Sequence, residues 1–270
     1  MSENLHLGPL DVFQARTVAV PGFDIIYFEA GTGPVLVVFP GAGGPRLGPA
    51  FEALAGQFRV IMFELPGWGM QANDVADFDG LAAQMSEAIT ALGIDTYHLL
   101  GTSFGGACAL HLAMLDTDKV ISLTLESPAK LRVDSVNPAE LPPEKFLPAF
   151  RTHPERGLPM LPPDPEFMDR VWPLVMRLAG DGMLDDAFAE RLSNLHVRTL
   201  VMFGTNDGVI NPVNGSTYRS LMPNCVAMKV YDAAHEISQD RPEAFVDAVS
   251  DFVRRGMNFL VNDTDRLINP

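Results

Sequence analysis

The run Val35–Phe39 reads VLVVF and leaves no polar face. A half-exposed strand alternates apolar with polar side chains, whereas a strand apolar at every position needs cover on both sides. Similar apolar strands are expected at Arg59–Phe63 (RVIMF), Tyr97–Leu100, Val120–Leu125, Val197–Phe203 and Cys225–Tyr231. Between them lie stretches of helical character, at Phe51–Phe58, Phe78–Leu92, Gly105–Leu115, Val213–Leu221 and Pro242–Arg255. Such strand–helix alternation predicts an α/β architecture, a mostly parallel sheet flanked by helices through right-handed crossovers. Ahead of it, Arg16–Val20 and Phe23–Glu29 flank Pro21-Gly22, which predicts a hairpin.

The alternation stops in the middle of the chain. Half of the 22 prolines fall between Pro128 and Pro173, a stretch with no readable strand. Helical pieces occur there, at Lys145–Phe150, Pro165–Ala179 and Asp185–Leu192. Residues 128–195 therefore read as a helical cap inserted into a core made of 1–127 and 196–270. The tail Gly256–Pro270 carries no clear pattern.

Composition narrows the company this chain can keep. Its formal net charge of -15 repels phosphate backbones and anionic lipid, so neither nucleic acid nor a membrane surface is an expected partner. No apolar run is long enough to span a bilayer, and the first residues lack the basic end and apolar core of a signal peptide. The two cysteines, Cys108 and Cys225, sit in apolar stretches and read as buried thiols. These features predict a reduced, cytoplasmic protein acting on a small molecule, and they leave a homodimer open.

Chemistry is concentrated in four short segments. Gly101-Thr102-Ser103-Phe104-Gly105 has small residues two positions either side of a serine, between an apolar strand and a small-residue helix. A sharp strand-to-helix turn of this kind lifts a hydroxyl clear of the backbone. That hydroxyl needs a base. Of six histidines, His235 alone follows a late apolar strand and opens a loop, in VYDAAHEI. An acid should stand at another strand end, to hold the imidazole tautomer. Asp207 fits in VMFGTNDGVINP; Glu126, ending LTLE, is the rival, and Asp232 is too close to His235 in sequence. Two backbone N–H groups must meet the developing oxyanion. Phe104 is the first candidate, and the loop Pro40-Gly-Ala-Gly-Gly-Pro45 offers Ala42, with Gly43 in reserve.

Other patterns fail. Gly67-Trp-Gly-Met-Gln-Ala72 matches a dinucleotide fingerprint formally, but Pro66 and the lack of a following helix argue against it. Gly101–Gly106 has phosphate-loop spacing without the lysine. No metal-ligand spacing is present, and the chemistry calls for neither metal nor cofactor.

The glycine loop, GTSFGG, GTNDGVINP and DAAHEIS, in that order, resemble the α/β-hydrolase superfamily over about residues 16–255. ELPGWG (Glu64–Gly69) is similar to a further family loop, usually written with aspartate first. The resemblance implies the α/β-hydrolase fold and a serine hydrolase with Ser103, His235 and Asp207 as its triad. Phe39-Pro40-Gly41 stands where the family often has His-Gly, and Thr102 where it often has histidine or asparagine. SFGG is similar to the string in carbon–carbon bond hydrolases of ring-cleavage products, whose loop after the histidine commonly has tryptophan where this chain has Glu236. Apolar cap residues such as Phe146, Phe150, Phe167, Trp172, Met176 and Phe188 could line a pocket, and Trp172 and Met176, with Gly41 and Gly43, are the expected substrate contacts. The resulting expectation is an esterase-like hydrolase of a small to medium, largely apolar acyl substrate. The alternatives are a carbon–carbon bond hydrolase and a non-enzymatic ligand-binding protein.

Overall fold

A computed structural model describes residues 11–69, 73–160 and 164–260. The first ten residues, Met70–Ala72 of the dinucleotide-like match and the tail from 261 lie outside the described residues. Strands β1 (Gln14–Val20) and β2 (Phe23–Ala30) form the expected hairpin, closing at Val20↔Phe23 with Gly22 at φ +87°. Six further strands follow: β3 (Val35–Phe39), β4 (Arg59–Phe63), β5 (Tyr97–Thr102), β6 (Val120–Glu126), β7 (Thr199–Gly204) and β8 (Cys225–Val230). They build one sheet in the order β1-β2-β4-β3-β5-β6-β7-β8. Strand β2 runs antiparallel to β1 and β4, and every other pairing is parallel.

Strand β3 sits between β4 and β5, and the reason is legible in VLVVF. Leu36 and Val38 point into one apolar layer, Val37 and Phe39 into the other, and all four are 0% exposed. The layer around Val37 and Phe39 is closed by α2 (Phe78–Ala91) and α3 (Phe104–Leu115). The opposite layer is closed by α1 (Pro49–Ala55) and α9 (Pro242–Arg255). Each such side chain contributes about 1.5–3 kcal/mol by leaving water. Helix α2 starts where the Asp77 carboxylate accepts from Gly80 N at 2.8 Å, and it buries Phe78, Leu81, Ala82, Met85, Ala88 and Ile89, the spacing of one helical stripe.

Between β6 and β7 lie α4 (Pro143–Phe150), α5 (Pro165–Ala179) and α6 (Asp186–Ser193). Prolines at the first turns of α4 and α5 suit positions whose N–H groups have no partner within the helix. Helix α5 buries Val171, Leu174, Val175 and Leu178. Its Arg177 donates to the carbonyls of Asn73 and Val75 at 3.1 Å each. Arg191 of α6 grips Asp79 of α2 with two bonds of 2.9 and 2.7 Å. The remaining helices are α7 (Asn214–Leu221) and a single turn, α8 (Ile237–Asp240), that the sequence pattern did not announce. The tail departs from its patternless expectation, because Gly256–Leu260 forms a 3-10 turn that buries Phe259 against Phe252. Among the described residues no helix is long and apolar enough to cross a membrane.

Candidate active site

Ser103 lies between the end of β5 and the start of α3, with φ 52° and ψ -115°. A non-glycine residue in this region is strained, at a cost of about 1–3 kcal/mol. Its neighbours hold it there. Ser103 N donates to Glu126 O at 2.8 Å, while its carbonyl accepts from Ala107 N and Ala129 N at 3.2 and 2.9 Å. The flanking glycines are needed for steric reasons. A Cβ on Gly105 would lie 2.3 Å from the carbonyl oxygens of Phe39 and Pro40, and one on Gly101 would lie 2.5 Å from Gly105 O. The small-x-Ser-x-small spacing thus records how closely α3 passes over β5 and β3.

Asp207 follows β7, and its side chain is fully buried. Its Oδ1 accepts from Val209 N and Ile210 N at 2.9 Å each, which fixes the carboxylate in the turn. Both carboxylate oxygens lie 3.1 Å from Nδ1 of His235, which follows β8. A carboxylate there favours a proton on Nδ1 and leaves Nε2 as the free base. Burial alone would push the His235 pKa down. The Asp207 charge and hydrogen bond, helped by Glu236 and Glu126, more than offset that and raise it above the ordinary value. Phe150, at the end of α4, meets the imidazole edge-on, with centroids 5.4 Å apart. Ser103 is partly exposed, and no hydrogen bond of 3.5 Å or less joins its hydroxyl to His235 in this structure. Contacts of this kind commonly tighten only once substrate is bound.

Glu126, the rival acid, is wholly buried but does not bond to the imidazole. It accepts instead from Thr102 Oγ1 at 2.7 Å, and from Ser238 N and Oγ at 2.6 and 3.3 Å. One carboxylate therefore ties the residue before Ser103 to the turn just after His235. Burial raises its pKa, opposed by these hydrogen bonds. Asp232 is drawn off by His153, whose Nε2 lies 2.7 Å from its carboxylate. Two other histidines also have partners of their own: His98 pairs with Ser122, and burial lowers it to about 4, while His111 pairs with Asp79 between Phe78 and Phe188.

The loop after β3 passes over the nucleophile position, since a Cβ on Gly41 would lie 3.5 Å from Ser103 Cβ. Gly44 N donates to Gly41 O at 3.0 Å, and in a trans peptide this also sets the direction of the Ala42 N–H. The next peptide is held by Trp68, whose indole donates to Ala42 O at 2.8 Å. The same indole packs on Phe104 with centroids 5.0 Å apart. Trp68 thereby touches both residues expected to supply oxyanion donors. It escaped the sequence reading, although ELPGWG marked its loop. Gly43 is exposed, with open space around its Cα. Of the expected cap contacts, Trp172 is half-buried against the core and Met176 is 46% exposed; among the other apolar cap residues, Phe150 reaches His235. Two further residues were not foreseen. Arg151 is buried and its Nε donates to Glu236 at 2.6 Å; Arg46 follows the glycine loop. Among the described residues there is no group of three or more His, Cys, Asp and Glu that could hold a metal.

The alpha/beta hydrolase family model matches residues 35–248. The 2-hydroxy-6-oxo-6-phenylhexa-2,4-dienoate hydrolase of Burkholderia cepacia is 26% identical over 273 residues, covering 87% of this chain and 92% of the relative. The pimeloyl-[acyl-carrier protein] methyl ester esterase of Neisseria meningitidis is 31% identical over 218 residues, covering 73% and 83%. A solved structure of the 2-hydroxy-6-oxo-6-phenylhexa-2,4-dienoate hydrolase from Rhodococcus sp. strain RHA1 superposes with a TM-score of 0.75 at 17% identity, covering 90% of this chain and 99% of that one. The eight-stranded sheet with its single reversed strand agrees with these likenesses, and the chain belongs to the α/β hydrolase family of enzymes.

Proposed function

We propose that the chain hydrolyses a small to medium, largely apolar acyl substrate through an acyl-enzyme on Ser103. The observation that carries this reading is the pair of 3.1 Å contacts from Asp207 to His235 Nδ1, on the rim of the sheet that also holds the Ser103 turn. Nε2 of His235 takes the Ser103 proton as Oγ attacks the acyl carbon. The negative charge on the tetrahedral oxygen is received by the N–H groups of Phe104 and Ala42. The intermediate collapses, His235 returns the proton to the leaving group, and the acyl group stays on Ser103. Water, deprotonated by the same imidazole, then attacks the ester and releases the acid. Asp207 stabilises the imidazolium at each step without becoming protonated. Residues 128–195 act as the cap that selects the acyl group.

A fluorophosphonate probe should label the wild type at Ser103. Ser103→Ala should abolish labelling and lower kcat on short p-nitrophenyl esters by at least about a thousandfold. Full turnover by Ser103→Ala would remove Ser103 from the mechanism, and an unlabelled wild type would favour a ligand-binding role. The second reading, carbon–carbon bond hydrolysis, is favoured by the Burkholderia relative. Activity confined to vinylogous diketones would decide for it.

A further inference from the structure

Two guanidinium groups converge on Leu158 O, one of them paired with Glu236, the residue after His235, and both keep hydrogen-bonding capacity that the described residues leave unused. Arg151 follows Phe150, whose ring lies against the imidazole, and its side chain is 0% exposed. Its Nε donates to Glu236 Oε2 and its Nη1 to Leu158 O, both at 2.6 Å. Arg46, two residues after Gly44 of the glycine loop, donates from Nη2 to the same Leu158 O at 3.3 Å and to Pro159 O at 3.0 Å. Two cations thus share one carbonyl oxygen. Arg151 Nη2 and Arg46 Nε are buried and have no partner.

A buried N–H without an acceptor is destabilising, and a pair of like charges adds to the penalty. Little on the surrounding elements relieves it. Glu236 is ion-paired with Arg151. The oxygens of Asp240 accept from the backbone N–H groups of Thr152, His153 and Ala234, and those of Glu126 from Thr102 and Ser238. Burial lowers the Arg46 pKa; Glu236 opposes that and Arg151 adds to it. The net charge of the chain is -15, so this local excess of positive charge runs against its overall composition. Planar guanidinium forks match carboxylate oxygens in geometry as well as in charge.

We propose that Arg46 and Arg151 form a carboxylate subsite against the loop that carries His235, so that the acyl substrate carries an anionic end in addition to the bond that is cleaved. The assignment of that carboxylate to a substrate rests on the serine-hydrolase reading above; anion binding itself does not. Glutarate is the probe and neutral valeramide its control. Glutarate should raise the Tm of the wild type by roughly 3 °C at tenfold excess over its Kd, and valeramide should not. Arg46→Met should remove the glutarate effect. Mono-p-nitrophenyl glutarate should be preferred over p-nitrophenyl valerate in kcat/KM, and Arg46→Met should lower that ratio roughly tenfold or more. A wild type stabilised no better by glutarate than by valeramide overturns the subsite, as does an Arg46→Met protein that keeps the glutarate effect or the ester preference. Failure of fluorophosphonate labelling together with intact glutarate binding would instead sink the serine-hydrolase reading and leave the anion site standing.

Discussion

His235 is the side chain whose protonation governs the proposed reaction, because only its neutral form can accept the Ser103 proton. Its raised pKa means that the ring is protonated and inactive at low pH, so kcat/KM should climb through a limb lying above the ordinary histidine value of about 6.5. Asp207 is the largest of the raising influences, and burial works the other way. Asp207→Asn should therefore shift that limb downward while lowering kcat by about ten-thousandfold. A pH–rate profile of the variant, or an NMR titration of the ring, checks this; an unmoved limb would show that Asp207 does not set the charge on the imidazole. The candidates Ser103, Asp207 and His235 could be picked out in the sequence because each follows an apolar strand, and the structure brings Asp207 onto His235 Nδ1. Trp68 was not legible, since its bond to Ala42 spans 26 residues and leaves no local pattern. Glu126 was legible as a rival acid at a strand end but not as a bridge, because its partner Ser238 is 112 residues away. Arg46 and Arg151 were hidden for the same reason: only folding brings them to one carbonyl.

The secondary-structure elements were easier to read than their ends. Strand β3 and helix α9 match the expected bounds, whereas β7 begins two residues late, at Thr199. The preceding Val197 and Arg198 form its approach, where Arg198 O accepts from Leu123 N at 2.8 Å. The one-turn helix α8 is too short for any periodicity to reveal. Contact between elements is close where α3 crosses β3. Gly105→Ala should drive a methyl group into two backbone carbonyls and destabilise the protein by about 3 kcal/mol, as overpacking does. Gly43→Ala meets open space without a positive φ and should change stability by no more than about 0.5 kcal/mol. Urea unfolding of the two variants makes the comparison. Equal stabilities would mean that the helix can retreat from the strand at no cost.

The mostly parallel sheet flanked by helices follows from the alternation of apolar runs, so that much of the general plan was visible in the sequence; the order of the strands within the sheet was not. Which face of each inserted helix turns inward was not, because apolar residues there serve packing and ligand contact alike. Charge acts on the molecule as one body. With 34 acidic against 19 basic residues, self-repulsion opposes the compact state. Raising NaCl from about 10 to 150 mM shortens the Debye length from about 30 to 8 Å, so Tm should rise by a few degrees. A falling Tm would mean that ion pairs such as Arg191–Asp79 outweigh the repulsion.

The Glu126 carboxylate has an architectural consequence. By clasping Thr102 and Ser238 together, it fixes the spacing of two turns independently of the route the polypeptide takes from one to the other. Segments along that route that touch neither turn are in this sense free to vary, whereas α4, whose end brings Phe150 and Arg151 against His235 and Glu236, is not.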